Sequence, residues 1–341
     1  MEMRFLGNTG LQVSALSFGT MTFGGHGRFE AMGNVEVDDA RRMVDLCIDA
    51  GVNLFDTADV YSEGASEEIL GQALGNKRDD VILATKVRGR MGEGANDVGL
   101  SRHHIIRGCE DSLRRLGTNY IDLYQVHGWD GITPLEETLS ALTDLVRSGK
   151  VRYIGCSNYS AWHLMKALCI SERDSFERFV SQQVYYSLLA RELENELVPL
   201  SLDQGVGILV WSPLAGGFLS GKFRRDQGDL EGTRRAQMGS PGNFAEEKGF
   251  DIVEMMEEVA EAHDATVAQV AINYLLRKPG VTSVIIGART EEQLVDNLAA
   301  ASWEMIPEEV ERLDKVSATP LIYPYWHQQQ FASDRIPEFG A

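Results

Sequence analysis

Apolar positions along this chain switch between two periods, and the switching repeats. Met3-Arg4-Phe5-Leu6 and Val13-Ser14-Ala15-Leu16, joined across Gly7-Asn8-Thr9-Gly10, read as a β-hairpin. Ala40, Met43, Val44, Cys47 and Ile48 then recur at i, i+3, i+4, i+7 and i+8, an amphipathic helix face. Short apolar runs read as strands: Ala15 to Phe18, Asn53 to Phe55, Val81 to Ala84, Ile121 to Tyr124, Tyr153 to Cys156, Phe179 to Ser181, Gly207 to Val210 and Val284 to Ile286. Helical patterns fall between and after them, over 65–74, 101–116 with Ser101 as N-cap, 135–146, 160–170, 193–203, 250–263, 266–277 and 290–300. Repeated strand–helix units demand parallel strands covered by helices. Eight such units predict a closed (β/α)8 barrel of the TIM type, α/β in class, with an N-terminal β-hairpin. The expected organisation is one barrel domain over 1–341, with 317–341 as a tail near a substrate pocket.

Segments of about 87–100 and 212–248 are too long for simple connections. They follow the third and seventh barrel strands, on the face where barrel enzymes carry their active sites. Polar residues gather at the same strand ends. Asp56 follows the second strand, Lys86 the third and His127 the fourth; Ser157-Asn158 follow the fifth, Gln183 the sixth, Trp211-Ser212 the seventh and Gly287 to Arg289 the eighth. Tyr61 precedes Lys86 by 25 residues. A phenol is a weak acid at neutral pH. A lysine ammonium beside it favours phenolate and should lower its pKa. Asp56 can hold that lysine charged, and His127 can orient a carbonyl oxygen. The quartet is a proton donor suited to an alkoxide forming in a dry pocket.

Composition narrows the setting. The 341 residues are 43% apolar and 24% charged, as in a globular protein. A net charge of −19, from 32 basic and 51 acidic side chains, opposes non-specific binding to nucleic acid or anionic membranes. No run of 18 apolar residues is present, and Met1 to Leu6 has no signal-peptide pattern, so a cytoplasmic location is expected. Cys47, Cys109, Cys156 and Cys169 form no CxxC pair and read as buried free thiols. An anionic cofactor must therefore meet a local positive patch.

Gly51-Val52-Asn53-Leu54-Phe55-Asp56-Thr57-Ala58-Asp59-Val60-Tyr61, followed by Gly64-Ala65-Ser66-Glu67-Glu68-Ile69-Leu70-Gly71, resembles the signature of the aldo-keto reductases. Further matches are Ala84-Thr85-Lys86, Val126-His127, Gly155-Cys156-Ser157-Asn158, Gln182 to Tyr186, Trp211 to Gly217, and Gly287 to Thr290 with Asn297. The resemblance runs from about residue 3 to 316. It is closest to bacterial members similar to the potassium-channel β subunits. It implies reversible NAD(P)H-dependent reduction of aldehydes or ketones. Tyr61 would be the general acid, Lys86 its partner, Asp56 the anchor of Lys86 and His127 the orienter of the carbonyl. The nicotinamide would lie on the ring of Trp211, with Ser157, Asn158 and Gln183 bonding its carboxamide. No metal is implied.

No GxGxxG turn follows a strand. Gly216 to Lys222 matches GxxxxGK, but Phe223 replaces the hydroxyl residue that would bind magnesium, so a P-loop is rejected. The family reading has this glycine-rich loop, with Ser212, Pro213, Leu214 and Gly216, approaching the pyrophosphate, Lys222 adding charge, and the rest of 212–248 closing as a clasp. Thr290-Glu291-Glu292-Gln293 is a capping-box pattern. A helix N-terminus also attracts anions, and Arg289 beside it suits the 2′-phosphate of NADPH. NADPH is thus expected, with NADH as the alternative. Glu291 and Glu292 would oppose that phosphate unless they point outward. Gln293 and Asn297 are expected at the adenosine end, and Gly19, Thr20, Met21 and Gly287 along the cofactor. Phe23, Trp129, Tyr325 and Trp326 are the expected substrate wall beside Tyr61 and His127. The expected partner is a small carbonyl or alcohol, with a second copy of the chain as a further candidate. The rivals are a nicotinamide-binding, redox-sensing regulatory subunit and a metal-dependent barrel hydrolase, for which His103-His104 sit on a helix start rather than in a ligand cluster.

Overall fold

A computed structural model describes residues 1–225 and 244–335. Eight parallel strands close into a barrel in the order β10-β3-β4-β5-β6-β7-β8-β9. They are β3 (Leu16–Gly19), β4 (Leu54–Asp56), β5 (Ile82–Val87), β6 (Ile121–Val126), β7 (Val151–Ser157), β8 (Phe179–Tyr185), β9 (Gly207–Trp211) and β10 (Val281–Ile286). Strands covered on both faces should be apolar throughout, and β10 is buried at every position.

Eleven helices are described. They are α1 (Val37–Asp49), α2 (Ala65–Leu74), α3 (Arg102–Leu116), α4 (Leu135–Arg147), α5 (Ala161–Asp174), α6 (Leu197–Gln204), α7 (Glu246–Ala262), α8 (Val267–Leu276), α9 (Glu291–Ala299), α10 (Pro307–Ser317) and α11 (Tyr325–Phe331). Their apolar stripes face the strands, as Ala40, Met43, Val44 and Cys47 of α1 do. Ser101 caps α3 by accepting from the His104 amide at 3.3 Å.

Two strands precede the barrel, β1 (Met3–Phe5) and β2 (Gln12–Ser14), paired antiparallel. The hairpin arm ends at Ser14, so Leu16 starts the barrel instead of closing the hairpin. Leu6 and Val13 pack with Leu54, Ala84, Leu123 and Leu209 in one apolar cluster. Gly7 sits at φ +56°, where a Cβ would come within 2.5 Å of the Gly205 carbonyl oxygen, so the hairpin turn can approach the barrel only with glycine. Further along β4, β5 and β6, and on β8, the inward residues turn polar: Asp56, Lys86, Gln125 and Gln183 are all buried.

Three features depart from the sequence reading, one of them α11, which forms in a segment expected only as a tail. Helix α10 was not anticipated; Pro307 opens it, and Glu309 reaches back to accept from the Ile306 amide at 3.0 Å. Of the four free cysteines, Cys169 is exposed, because it lies on the solvent side of α5, while the other three are buried. The expected clasp falls largely on 226–243, outside the described residues. No described helix is long and apolar enough to cross a membrane.

Candidate active site

The buried polar layer is one hydrogen-bonded unit. Lys86 lies inside β5 rather than beyond it, and its ammonium is fully buried. Its Nζ donates to Asp56 Oδ1 at 2.5 Å, to the Thr57 carbonyl at 2.9 Å and to Tyr61 OH at 3.3 Å. An ammonium has three N–H donors, and all three are engaged. The other oxygen of Asp56 accepts from Gln183 Nε2 at 2.8 Å and from Gln125 Nε2 at 3.0 Å. Gln125 was not anticipated. Its signal is a polar residue two positions before His127, which puts both on the inward face of the strand path.

The Tyr61 loop is held from both sides. Ser62 and Glu63 adopt φ +49° and +58°, and Ser62 Oγ donates to the Phe23 carbonyl at 2.8 Å. A Cβ at Gly89 would come within 1.9 Å of Val60, so only glycine lets the segment after β5 pass that close. The Tyr61 ring meets His127 edge-on at 5.7 Å and Phe29 at 5.4 Å. The His127 side chain makes no hydrogen bond among the described residues.

Charge and burial set the proton positions. Burial opposes the Lys86 charge, but Asp56 and then Tyr61 outweigh it and hold the lysine above its ordinary pKa. For Tyr61, burial is the largest influence and raises the phenol; Lys86 pulls it down and Asp56 pushes it up, so the net direction is upward. The expected net lowering is therefore corrected: desolvation outweighs the lysine, and Tyr61 keeps its proton at neutral pH. His127 is pushed down to about 3 by burial, then by the charges of Lys86, Arg28 and Arg88. It works as neutral imidazole. A pH–rate profile should show no limb from His127 between about pH 5 and 8, where an ordinary histidine titrates. A limb near 6.5 that disappears in His127→Gln would contradict this.

Tyr61, His127 and Asp56 line a cavity of about 630 Å³ that runs past Trp211 to Arg289, Gln293 and Asn297. Gly19, Met21, Ser157, Asn158, Gln183, Ser212, Pro213, Leu214, Gly216, Lys222 and Gly287 also line it. Thr20 does not, since its hydroxyl is buried against Ser66 at 2.9 Å. Four expected substrate residues lie elsewhere. Phe23 is buried edge-on to Phe18 at 5.9 Å, and Trp129 turns outward to stack on His163 at 3.7 Å. Tyr325 bonds Glu196 at 2.5 Å, and Trp326 is exposed on the tail helix. The apolar wall is instead Met21, Phe29, Met32 and Val60. A Phe and a Met inside the glycine-rich stretch after the first barrel strand were its only sequence signal.

The cavity suits a dinucleotide. Trp211 stacks on Tyr185 at 4.8 Å, and its Nε1 donates to Asn158 Oδ1 at 3.1 Å, which fixes the indole plane. Asn158 in turn donates to the His127 carbonyl at 3.1 Å. Gly216 and Gly217 take φ +68° and +100°, and a Cβ at Gly217 would meet no atom of the described residues within 4 Å. That is a cradle open for a phosphate. Ala215–Ser220 is a 3-10 turn, and residues 221–225 after it are not helical. Thr290 caps α9 by accepting from the Gln293 amide at 3.3 Å. Gln293 Oε1 accepts from the Arg289 amide at 3.0 Å, and Asn297 donates to the Gly287 carbonyl at 3.1 Å. Glu291 points outward and pairs with Arg42 at 2.6 Å. Glu292, the other acid expected to oppose a phosphate, is exposed and accepts from the Thr290 side chain. Arg289 donates to the carbonyls of Met32 at 3.0 Å and Ala31 at 2.7 Å, so it also holds the loop over the cavity. Among the described residues no cluster of three His, Cys, Asp or Glu could hold a metal.

A family model described as aldo/keto reductase matches residues 15–318. The uncharacterized oxidoreductase YrpG of Bacillus subtilis is 39% identical over 94% of this chain and 97% of its own length. A probable voltage-gated potassium channel subunit beta of Oryza sativa is 36% identical, over 93% of this chain and 96% of its own. The versiconal hemiacetal acetate reductase of Aspergillus parasiticus is 35% identical, over 95% and 99%.

Proposed function

This chain belongs to the aldo/keto reductase family, and on that premise we propose that it is an NADPH-dependent oxidoreductase reducing aldehydes or ketones to alcohols. One observation supports this most: Tyr61 OH lies 3.3 Å from an ammonium that Asp56 holds, inside a cavity that His127 also lines. Bound NADPH would supply the hydride. Trp211, Asn158 and Ser157 would hold its nicotinamide end, Gly216, Gly217 and Lys222 its pyrophosphate, and Arg289, Gln293 and Asn297 its adenosine end.

The residues account for the proton. A substrate carbonyl oxygen sits between Tyr61 OH and the neutral His127 imidazole, which can donate a hydrogen bond without carrying charge. Tyr61 keeps its proton until that oxygen becomes basic, then transfers it. The phenolate left behind faces Lys86, where attraction is strong because the pair is dry. Asp56 keeps the lysine charged, and Gln125 and Gln183 keep Asp56 aimed. In the reverse direction Tyr61 accepts the alcohol's proton, and the same lysine favours the accepting form. Met21, Phe29, Met32 and Val60 suit an apolar or aryl carbonyl.

The test is NADPH with a panel of aryl aldehydes, followed at the nicotinamide absorbance band. Oxidation of NADPH matched by alcohol formation supports the reading. Tight NADPH binding without turnover on any carbonyl would favour the second reading, a redox-sensing regulatory subunit. That reading draws on the relatives named as potassium channel subunits.

Arg289 tests the choice of cofactor. Arg289→Ala should raise KM for NADPH by about 10- to 100-fold more than KM for NADH, the scale of a lost charge-assisted contact to phosphate. An equal effect on both would assign Arg289 only to holding the carbonyls of Ala31 and Met32.

A further inference from the structure

Behind Tyr61 the structure buries more acids than bases. Asp56, Asp59 and Glu67 are three buried carboxyls, and Lys86 and Arg115 are the cations that reach them. Lys86 spends its three donors on Asp56, Thr57 and Tyr61. Arg115 pairs with Glu67 Oε2 through Nε at 2.7 Å and Nη2 at 2.6 Å, and Thr85 donates to Glu67 Oε1 at 2.5 Å. Asp59 is left over. It is fully buried, and among the described residues neither carboxyl oxygen has a hydrogen-bond partner of ordinary geometry. Only the Val60 amide leans toward it. An ionised carboxylate there, with no ion-pair partner of its own and at most the Val60 amide as a donor, would cost several kcal/mol. The carboxylic acid is the form that this site can hold.

Asp59 is also wired to the catalytic pair. Its amide donates to the Lys86 carbonyl at 3.2 Å, and it stands two residues before Tyr61. A charge on it would be felt by both. We propose that Asp59 is a positioning residue that works as a neutral acid: it fills the space behind Tyr61 without charge, and its deprotonation weakens Tyr61 as a proton donor. This rests on the reading of Tyr61 as the acid.

The surroundings agree. Burial raises Asp59 most, Glu67 adds to it, and the Val60 amide, Arg115 and Lys86 offset it only in part. The other titratable neighbours are Tyr61 on the same segment and Tyr124 of β6; burial pushes Tyr124 up, so it stays neutral. Asp59 in turn raises Tyr61. The sign for stability follows. A carboxyl raised on folding contributes stability in full below its unfolded pKa, near 3.9, and loses it as pH rises through the folded value. Activity should fall over the same rise, as the new carboxylate repels the phenolate.

Asp59→Asn in the full chain tests this, with the wild type beside it. The infrared difference spectrum at neutral pH should show the carbonyl stretch of a protonated acid in the wild type and not in the variant. The melting temperature of the variant relative to wild type should climb between about pH 5 and 9. With a carbonyl substrate, the alkaline fall of kcat should move to higher pH in the variant. The first two readouts need no turnover, so they remain decisive if no carbonyl is reduced. Should the variant fail to fold, loss of the same infrared band as pH is raised in the wild type replaces it. Absence of the band at neutral pH would overturn the proposal, as would an alkaline limb that Asp59→Asn leaves in place.

Discussion

Tyr61→Phe is expected to lower kcat for carbonyl reduction by about 10²- to 10⁴-fold, the range of a single general acid, while KM and the melting temperature change little. The ring contacts explain the second half. Phe29 and His127 both meet the Tyr61 ring by its edges, and phenylalanine preserves those contacts. The only group that loses a partner is Lys86, which still donates to Asp56 and to the Thr57 carbonyl. His127 cannot take over the proton, since it is neutral and held low, and Lys86 is held above its ordinary pKa by Asp56. Steady-state kinetics with thermal denaturation of both proteins check this. A residual rate within about tenfold of wild type would mean that water or another side chain delivers the proton.

Asp56→Ala is expected to be the most destabilising change in the site, costing about 3–5 kcal/mol, because it leaves the Lys86 charge buried without its partner. Gln125 and Gln183 would also lose their shared acceptor. The pH dependence identifies the cause. Asp56 is the largest influence raising Lys86 against burial. A lysine raised on folding contributes its stability in full below its unfolded pKa, near 10.4, and loses it as pH rises through the folded value. Without Asp56, burial lowers Lys86 instead, so the variant gains stability as pH rises toward about 10.4 while the wild type does not. The gap between them should narrow with rising pH across the neutral range and narrow further above about 10.4. Denaturant unfolding at several pH values measures it. Adding Lys86→Met to Asp56→Ala should restore part of the loss, since it removes the stranded charge; strictly additive losses would show that the two side chains do not act as a pair.

Much of this site was legible because barrel strands speak plainly in sequence. Each is a short apolar run with a polar residue at its end, and closure of the barrel brings those ends together on one rim. Asp56, Lys86 and His127 could be placed that way without coordinates, and with them the cavity residues from Trp211 to Asn297. What failed was direction. Trp129 follows His127 by two residues, yet it turns to His163 on the outer side of α5, since a loop does not keep a strand's alternation. Tyr325 and Trp326 looked like a pocket wall by composition alone, but Tyr325 is tied to Glu196 on the outside of the barrel. Phe29 and Met32 took the wall instead, carried there by a glycine-rich loop that has no period to read.

By itself, the sequence determined the barrel, the grouping of Asp56, Tyr61, Lys86 and His127, and the run of polar residues from Trp211 to Asn297 along one cavity. Each depends on residue type and strand order, which survive without coordinates. The tertiary structure alone decided the charge states. Whether Tyr61 rises or falls is a contest between burial and one lysine, and burial exists only once β4, β5 and β6 enclose the residue. The same enclosure leaves Asp59 as the third carboxyl beside two cations. A sequence names charged groups, but only packing removes the water that would otherwise make their balance unimportant.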